Sequence, residues 1–108
     1  MNEIYQKFKN YETIQVPIRG KTYTLWIADD DRKRGVGLSG ISRKPDNYGM
    51  LFIYDNDTDI AFTMRKTHIP LEILFLDKNL KLVEKFRCKP FQYELIKPAQ
   101  KFRYVIEI

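Results

Sequence analysis

The chain has 108 residues, of which 44% are hydrophobic and 14% aromatic, and it carries a formal net charge of +5. This length suits one folded domain spanning residues 1–108, and the apolar content excludes a disordered chain. One cysteine excludes an intrachain disulfide, and no apolar run approaches the roughly 20 residues of a transmembrane helix. We therefore expect a cytoplasmic protein with no membrane anchor and no export signal.

The first strands are expected near the N-terminus. Residues 1–10 fit either a short helical turn or a loose tail. Residues 13–18 and 22–27 alternate between apolar and polar side chains, and a turn at Arg19–Lys21 joins them into a hairpin. Pro17 has no N–H to donate, so the first strand is predicted at the edge of a sheet.

Asp29–Arg34 is the one segment with the signals of a helix. An aspartate can cap its start, acidic residues fill its first turn and basic residues fill its last. Gly35 and Gly37 then end it, so the helix is expected to be shorter than two turns. A polar loop follows at residues 39–48.

Three apolar runs form the centre of the chain and predict three strands: Met50–Tyr54, Ile60–Met64 and Leu71–Leu76. The polar segment Asp55–Asp59 predicts a turn between the first two. This segment also begins like a calcium-binding loop. It lacks the glycine and the glutamate that such a loop needs, so no metal site is expected.

Residues 81–87, 91–97 and 102–108 predict three more short strands. The complete pattern therefore indicates a mainly β fold of seven to eight strands with one short helix. Turn signals at this spacing favour a small β-sandwich or a partly closed barrel.

One set of residues carries a resemblance through its order and spacing: Ala28-Asp29, Arg34, Gly37-Leu38, Gly49–Phe52, Phe62, Met64, Thr67, Ile69–Leu71, Phe75, Asp77 and Arg103–Glu107. In these residues the chain resembles the domain of unknown function 192 family, from about Val16 to its end. The resemblance implies a compact, mainly β, sandwich-like domain, and it implies no established activity or cofactor. The chain departs from it at Thr63 and Glu72, where members usually carry Trp and Asp.

Glu72 lies in the most apolar of the predicted strands. A buried carboxylate needs a partner, and we predict an ion pair with Arg34, a basic residue of the helix that matches the family pattern. A pocket between the loops at residues 37–48 and 64–70 would then offer Arg34, Thr67 and Glu72 as ligand contacts.

The C-terminal third is the basic part of the chain. Residues 1–77 carry 11 basic and 11 acidic side chains, whereas residues 78–108 carry eight and three. Aromatic residues are interleaved with these bases, as in surfaces that bind unpaired nucleotides, although a solvated face that opposes aggregation has the same pattern. The candidates for polyanion binding are Lys81, Lys85, Arg87, Lys89, Lys101 and Arg103.

Two reactive residue types occur once each. His68 has no second histidine or nearby cysteine to complete a metal site or a catalytic triad. Cys88 lies between Arg87 and Lys89, which could lower the pKa of its thiol, but an ordinary cysteine near a strand end is the simpler interpretation.

The expected function is a small non-enzymatic binding or regulatory module whose basic face binds nucleic acid or an acidic protein. The alternative is a small-ligand-binding protein or an enzyme that uses the pocket around Arg34, Thr67 and Glu72. No cofactor, metal or catalytic residue is predicted, and the sequence gives no indication of oligomeric state.

Overall fold

The computed structural model describes residues 3–108, without the side chains at positions 3 and 5. Its elements are α1 (Glu3–Lys7), β1 (Thr13–Ile18), β2 (Lys21–Ala28), α2 (Asp31–Val36), β3 (Tyr48–Thr58), β4 (Leu71–Leu76), β5 (Leu82–Cys88) and β6 (Phe102–Glu107). The strands form one sheet in the order β1-β2-β3-β6-β4-β5. Only the β2–β3 pair is parallel among these, so the sheet is mixed.

The predicted N-terminal hairpin is confirmed. β1 and β2 pair antiparallel from Thr13 opposite Trp26 to Ile18 opposite Lys21. Arg19 and Gly20 form the two-residue connection, and both have positive φ angles, 51° and 82°. Such a turn matches the twist of the two strands. β1 lies at the edge of the sheet, where the missing N–H of a proline is tolerated.

The predicted helix is present but begins two residues later. The side chain of Asp30 accepts a 2.7 Å hydrogen bond from the backbone N–H of Lys33 and so caps α2. Gly37 ends the helix with a φ of 51°, whereas Gly35 lies within it. This helix lies in the crossover that returns the chain to the parallel strand β3.

The predicted turn at Asp55–Asp59 is wrong for most of its length, because β3 continues to Thr58. Thr58 pairs with Phe102 at the start of β6. Arg103 also forms an ion pair with Asp57, with 2.9 Å between nitrogen and oxygen. A partner strand and a basic neighbour therefore hold this polar sequence in extended form.

Two further predicted strands, Ile60–Met64 and residues 91–97, are loops joined by a single bridge between Phe62 and Ile96. Their apolar side chains anchor the loops instead, since the Phe62 ring lies 5.1 Å from that of Phe52. Met64 is wholly buried. The described residues thus form six strands, not seven or eight, in an open sheet rather than a sandwich or barrel.

The two faces of the sheet bury different amounts of apolar surface. The main core covers one face with the helices and long loops, and its largest members include Phe8, Trp26, Phe52, Phe75 and Phe102. The second face carries a smaller cluster of Leu25, Leu74 and Ile106. Neither helix, nor any other helical segment in residues 3–108, has the length and apolarity for crossing a membrane.

Candidate functional site

A cleft of about 520 Å³ opens over the main core. Phe52 and Tyr54 of β3 and Glu107 of β6 form its floor, and residues 34–39, 60–63 and 65–67 form its walls. Ligand sites in proteins commonly have volumes of roughly 300–1,000 Å³ and mostly apolar linings with few polar groups. The cleft therefore has the size and composition of a small-molecule site.

Backbone hydrogen bonds hold the walls of this cleft in place. The N–H of Gly40 donates to the carbonyl of Lys66 over 2.9 Å, which joins the two walls. Phe62 and Ile96 exchange two bonds of 2.8 Å, which ties the second wall to the loop before β6. The cleft is thus preformed.

Glu107 is the most unusual residue of the cleft. Its side chain is 5% exposed, and it makes no hydrogen bond or ion pair within the described part of the chain. Every fully enclosed side-chain nitrogen or oxygen among the described residues has a partner, so this carboxyl group opens into the cleft that it lines. Burial raises the pKa of Glu107 to about 8.

Arg34 and Tyr54 line the same cleft as this carboxyl group. Arg34 donates a 2.7 Å hydrogen bond to the carbonyl of Ile53 and a 2.9 Å bond to Asp31, and its guanidinium lies 5.1 Å from the centre of the Tyr54 ring. Burial raises the pKa of Tyr54 to about 12, against the effect of Arg34 and together with that of Glu107. The hydroxyl of Tyr54 therefore stays protonated at neutral pH.

The rim of the cleft combines cations with exposed apolar side chains. Arg65 donates a 2.8 Å hydrogen bond from Nε to the carbonyl of Tyr93 and stacks 4.1 Å from the centre of its ring. Lys66 is adjacent and exposed. Ile60 and Leu95 line the same rim, although 51% and 57% of their surfaces are exposed.

The structure brings together two of the three predicted pocket residues. Arg34 and Thr67 both line the cleft, and Thr67 is buried with 6% of its surface exposed. Glu72 does not reach it and instead lines a shallow groove with Arg87 and Lys89.

The predicted ion pair between Glu72 and Arg34 is wrong. Glu72 accepts hydrogen bonds of 3.1 and 2.5 Å from the guanidinium of Arg19, at the tip of the β1–β2 hairpin. These bonds are the main reason that the pKa of Glu72 is lowered. Because side chains alternate along a strand, Glu72 points to the second face, whereas Arg34 lies over the main core.

The predicted polyanion-binding residues do not share one face. Lys85 and Arg87 lie on the second face of β5, opposite Leu74 and Glu72. The others lie elsewhere: Lys81 precedes β5, Lys89 follows it, Lys101 is in the loop before β6, and Arg103 is paired with Asp57. Four of the candidates therefore follow the edge strand β5, and two of these four, Lys85 and Arg87, lie near the carboxylate of Glu72.

The remaining reactive residues lie outside the cleft lining. Cys88 is a buried free cysteine, and burial raises the pKa of its thiol, followed by the charge of Glu107. The idea of a lowered thiol pKa is therefore wrong. His68 is exposed, with its ring 4.7 Å from that of Phe91. No group of three or more metal-binding side chains occurs in residues 3–108.

The sequence interpretation noted Glu107 only as part of the family pattern and missed it as a site residue. Its signal is weak: one acid in the last apolar strand, two positions after Val105. In β6 these two residues point to the main core, while Ile106 points to the second face. Alternation alone does not say which face of a strand is the more deeply covered.

A family model matches residues 14–108, nearly the whole chain. The chain belongs to the DUF192 family. The family is described as an uncharacterized ACR, and it has no established activity. The resemblance to this family that the sequence indicated is thereby confirmed.

Two solved structures share the fold. One, from Sinorhizobium meliloti 1021, is provisionally described as a transcription regulator; it is 23% identical, with a TM-score of 0.79, over 91% of this chain and 81% of that one. The other is a protein of unknown function from Novosphingobium aromaticivorans DSM 12444; it is 22% identical, with a TM-score of 0.77, over 91% of this chain and 72% of that one. At these identities the likeness shows the fold alone. A search of curated proteins found no significant match.

Proposed function

We propose that this DUF192 protein is a small-molecule-binding module whose ligand occupies the cleft over Glu107. The single observation that carries the proposal is the unpaired carboxyl group of Glu107 at the floor of a preformed cleft. A small ligand would supply the hydrogen-bond partner that the protein does not.

The energetics of burial support this interpretation. A buried polar group without a partner loses its hydration and lowers the stability of the fold by roughly 1–3 kcal/mol. Apolar side chains would fill such a position without this loss. A carboxyl group at the floor of a cleft is explained when a bound molecule hydrogen-bonds to it, because buried polar groups and perturbed pKa values concentrate at binding sites.

A nuclear magnetic resonance titration tests the proposal. Four probes, phenylacetate, phenethylamine, phenylacetamide and uridine, are added separately to ¹⁵N-labelled protein. We expect at least one to give saturable shifts confined to amides of residues 34–39, 52–54, 60–67 and 107. The variant Ala61→Trp should block the cleft, because Ala61 lines it. Ala99→Trp, at an exposed loop position, is the matched control and should bind as the natural protein does.

Two results would contradict the proposal. One is that no probe gives saturable shifts at millimolar concentration. The other is that binding persists in a folded Ala61→Trp variant, which would locate the ligand elsewhere. A Thr67→Val variant adds a second check, since loss of its hydroxyl should weaken any ligand that contacts this wall.

Polyanion binding is a second proposal, with less support. Lys85 and Arg87 share the exposed second face of an edge strand, which is the observation in its favour. The comparisons give no support for nucleic-acid binding. Fluorescence anisotropy with labelled oligonucleotides at two salt concentrations tests it, beside a Lys81/Lys85/Arg87→Glu variant. Binding that falls with salt and is lost in the variant would support it, and no binding at low salt would contradict it.

A further inference from the structure

The charges that line the cleft are strongly unbalanced. The lining contains three cations and one acid: Arg34, Arg65, Lys66 and Glu107. Because the pKa of Glu107 is raised to about 8, its carboxyl group is mostly neutral at pH 7. Asp31 offsets the charge of Arg34, so the net positive charge of the lining comes from Arg65 and Lys66, and it favours an anionic ligand over a cationic one.

The inner part of the cleft offers hydrogen-bond donors rather than acceptors. A protonated Glu107 donates one O–H, and the hydroxyl of Tyr54, with its pKa near 12, donates another. Thr67 adds a third hydroxyl at the wall. None of these three side chains donates a hydrogen bond to another described residue. An oxyanion, which accepts several hydrogen bonds and donates none, is the complement of this set.

The two arginines of the lining are held in place before any ligand arrives. Arg34 is fixed by its bonds to Ile53 and Asp31. Arg65 uses only Nε, toward Tyr93, so its two terminal nitrogens have no acceptor in the described chain. A guanidinium with free terminal nitrogens binds carboxylates in a bidentate manner.

The outer part of the cleft is apolar. Phe62 forms one wall, and the half-exposed side chains of Ile60 and Leu95 stand at the opening. A ligand that carried only a charged group would leave these side chains in water. An apolar body attached to the anion would cover them.

We propose that the cleft binds small carboxylates with an apolar body, and that Glu107 takes part only in its protonated form. The carboxylate of the ligand lies at the inner donors, and its apolar body lies against Phe62, Ile60 and Leu95. Ionised Glu107 repels the anion, so binding is coupled to one proton. This inference rests on the proposed function and names its ligand class.

The groups around the cleft are consistent with this coupling. Those that line it with Glu107, or that Glu107 influences electrostatically, are Arg34 of α2, Tyr54 of β3, Cys88 of β5, and Arg65, Lys66 and Thr67 of the loop before β4. The only acid among these groups is Glu107 itself. The nearby thiol and phenol both keep their protons at neutral pH, because burial raises both of their pKa values. Glu107 is therefore the acidic group of the cleft that titrates near pH 8.

The test compares three ligands with the same phenyl body and different head groups. Isothermal titration calorimetry is run at pH 7 with phenylacetate, phenylacetamide and phenethylamine. We expect phenylacetate to bind at least about tenfold more tightly than either of the others. If the amide or the amine binds as tightly as the acid, this inference fails while small-molecule binding stands. If none of the three binds and uridine also fails, both fail.

The role of Glu107 is tested by pH and by one conservative variant. Because only the protonated form binds, affinity for phenylacetate should be constant below the pKa near 8 and about tenfold weaker at pH 9 than at pH 7. Glu107→Gln keeps a donor at every pH, so it should retain binding and lose this pH dependence. Glu84→Gln, at an exposed position of β5, is the control and should behave as the natural protein does.

Two outcomes would overturn the role of Glu107. One is an affinity that does not change between pH 7 and pH 9 in the natural protein. The other is a folded Glu107→Gln variant that still loses about tenfold in affinity over the same range, since the titrating group would then be a different one.

Discussion

Two glutamates on neighbouring strands of the same sheet have pKa values that are shifted in opposite directions. Glu72 of β4 points to the second face, where Arg19 pairs with it through two hydrogen bonds and lowers its pKa. Glu107 of β6 points to the main core, where it has no partner in the described chain and burial raises its pKa. The difference shows that the partner a carboxyl group finds, rather than the strand that carries it, decides its charge at neutral pH.

The comparison also separates a structural role from a functional one. The Glu72–Arg19 pair joins the tip of the hairpin to β4, across the two strands that lie between them. Its groups satisfy each other and leave little for a ligand. The side chain of Glu107 has no hydrogen-bond or ion-pair partner in the described protein. The cleft over it is therefore the candidate site, rather than the groove beside Glu72.

The largest expected effect concerns the backbone that carries Glu107. A Cβ atom at Gly49 would lie 2.3 Å from the carbonyl oxygen of Glu107 and 2.6 Å from the side chain of Ile108. Gly49→Ala must therefore push β6 away from β3 and should destabilise the fold by about 3 kcal/mol or more. Urea denaturation measures the change. A loss below about 1 kcal/mol would show that the two strands separate easily.

The second prediction concerns the pH dependence of stability. The folded pKa of Glu107, about 8, lies above its ordinary value of 4.5, so the unfolded chain releases this proton first. The contribution of Glu107 to stability should be complete below pH 4.5 and should fall by about 1.4 kcal/mol per pH unit from there to pH 8. Glu107→Gln should remove that slope. Urea denaturation of both proteins at pH 5, 6.5 and 8 measures the slope. If the free energy of unfolding changes equally with pH in both, Glu107 is not an unpaired buried acid.

The contribution of Glu72 to stability should change with pH in the opposite direction to that of Glu107, and by a smaller amount. Its folded pKa lies below its ordinary value, so its contribution to stability is present above pH 4.5 and is lost as the pH falls. Half of the Arg19 side chain is exposed, so the pair is screened by solvent. We expect Glu72→Gln to lower Tm at pH 7 by no more than about 4 °C. If the difference in Tm between Glu72→Gln and the natural protein is the same at pH 7 and at pH 3, the pair does not stabilise the fold.

The smallest effect is expected at Gly35, which is the control for Gly49. A Cβ atom at Gly35 meets nothing within 4 Å, and the residue lies within α2. Gly35→Ala should therefore stabilise the protein by about 0.5 kcal/mol, because alanine loses less backbone freedom on folding. A destabilised variant would indicate that this wall of the cleft needs glycine for another reason. Thermal unfolding beside Gly49→Ala gives the contrast directly.

Much of the fold could be predicted from local patterns. The Arg19-Gly20 turn, the alternation on both sides of it and the aspartate-capped helix are all decided by neighbours in sequence. The wrong predictions are strands assigned to segments whose apolar residues anchor a loop to the core. Phe62 and Met64 have the spacing of a strand, but they insert into the main core from a loop. Periodicity records that a side chain is buried and does not record whether its backbone is paired.

The candidate site was harder to predict because it depends on long-range topology. The insertion of β6 between β3 and β4 places Glu107 in the lining of the same cleft as Tyr54 and the end of helix α2. Nothing near Glu107 in sequence indicates that strand order. The same missing information led to the wrong partner for Glu72, since the hairpin tip that reaches it lies 53 residues away.

The central claim is that Glu107 is a neutral acid at physiological pH. Its direct measurement is a titration of the side-chain carboxyl resonances, with ¹³C-labelled glutamate and a Glu107→Gln variant for assignment. The account predicts that Glu107 changes its shift near pH 8, while Glu72 changes below its ordinary value of 4.5. If Glu107 instead titrates near 4.5, it is ionised and solvated at pH 7, and the proton-coupled cleft proposed above would be contradicted.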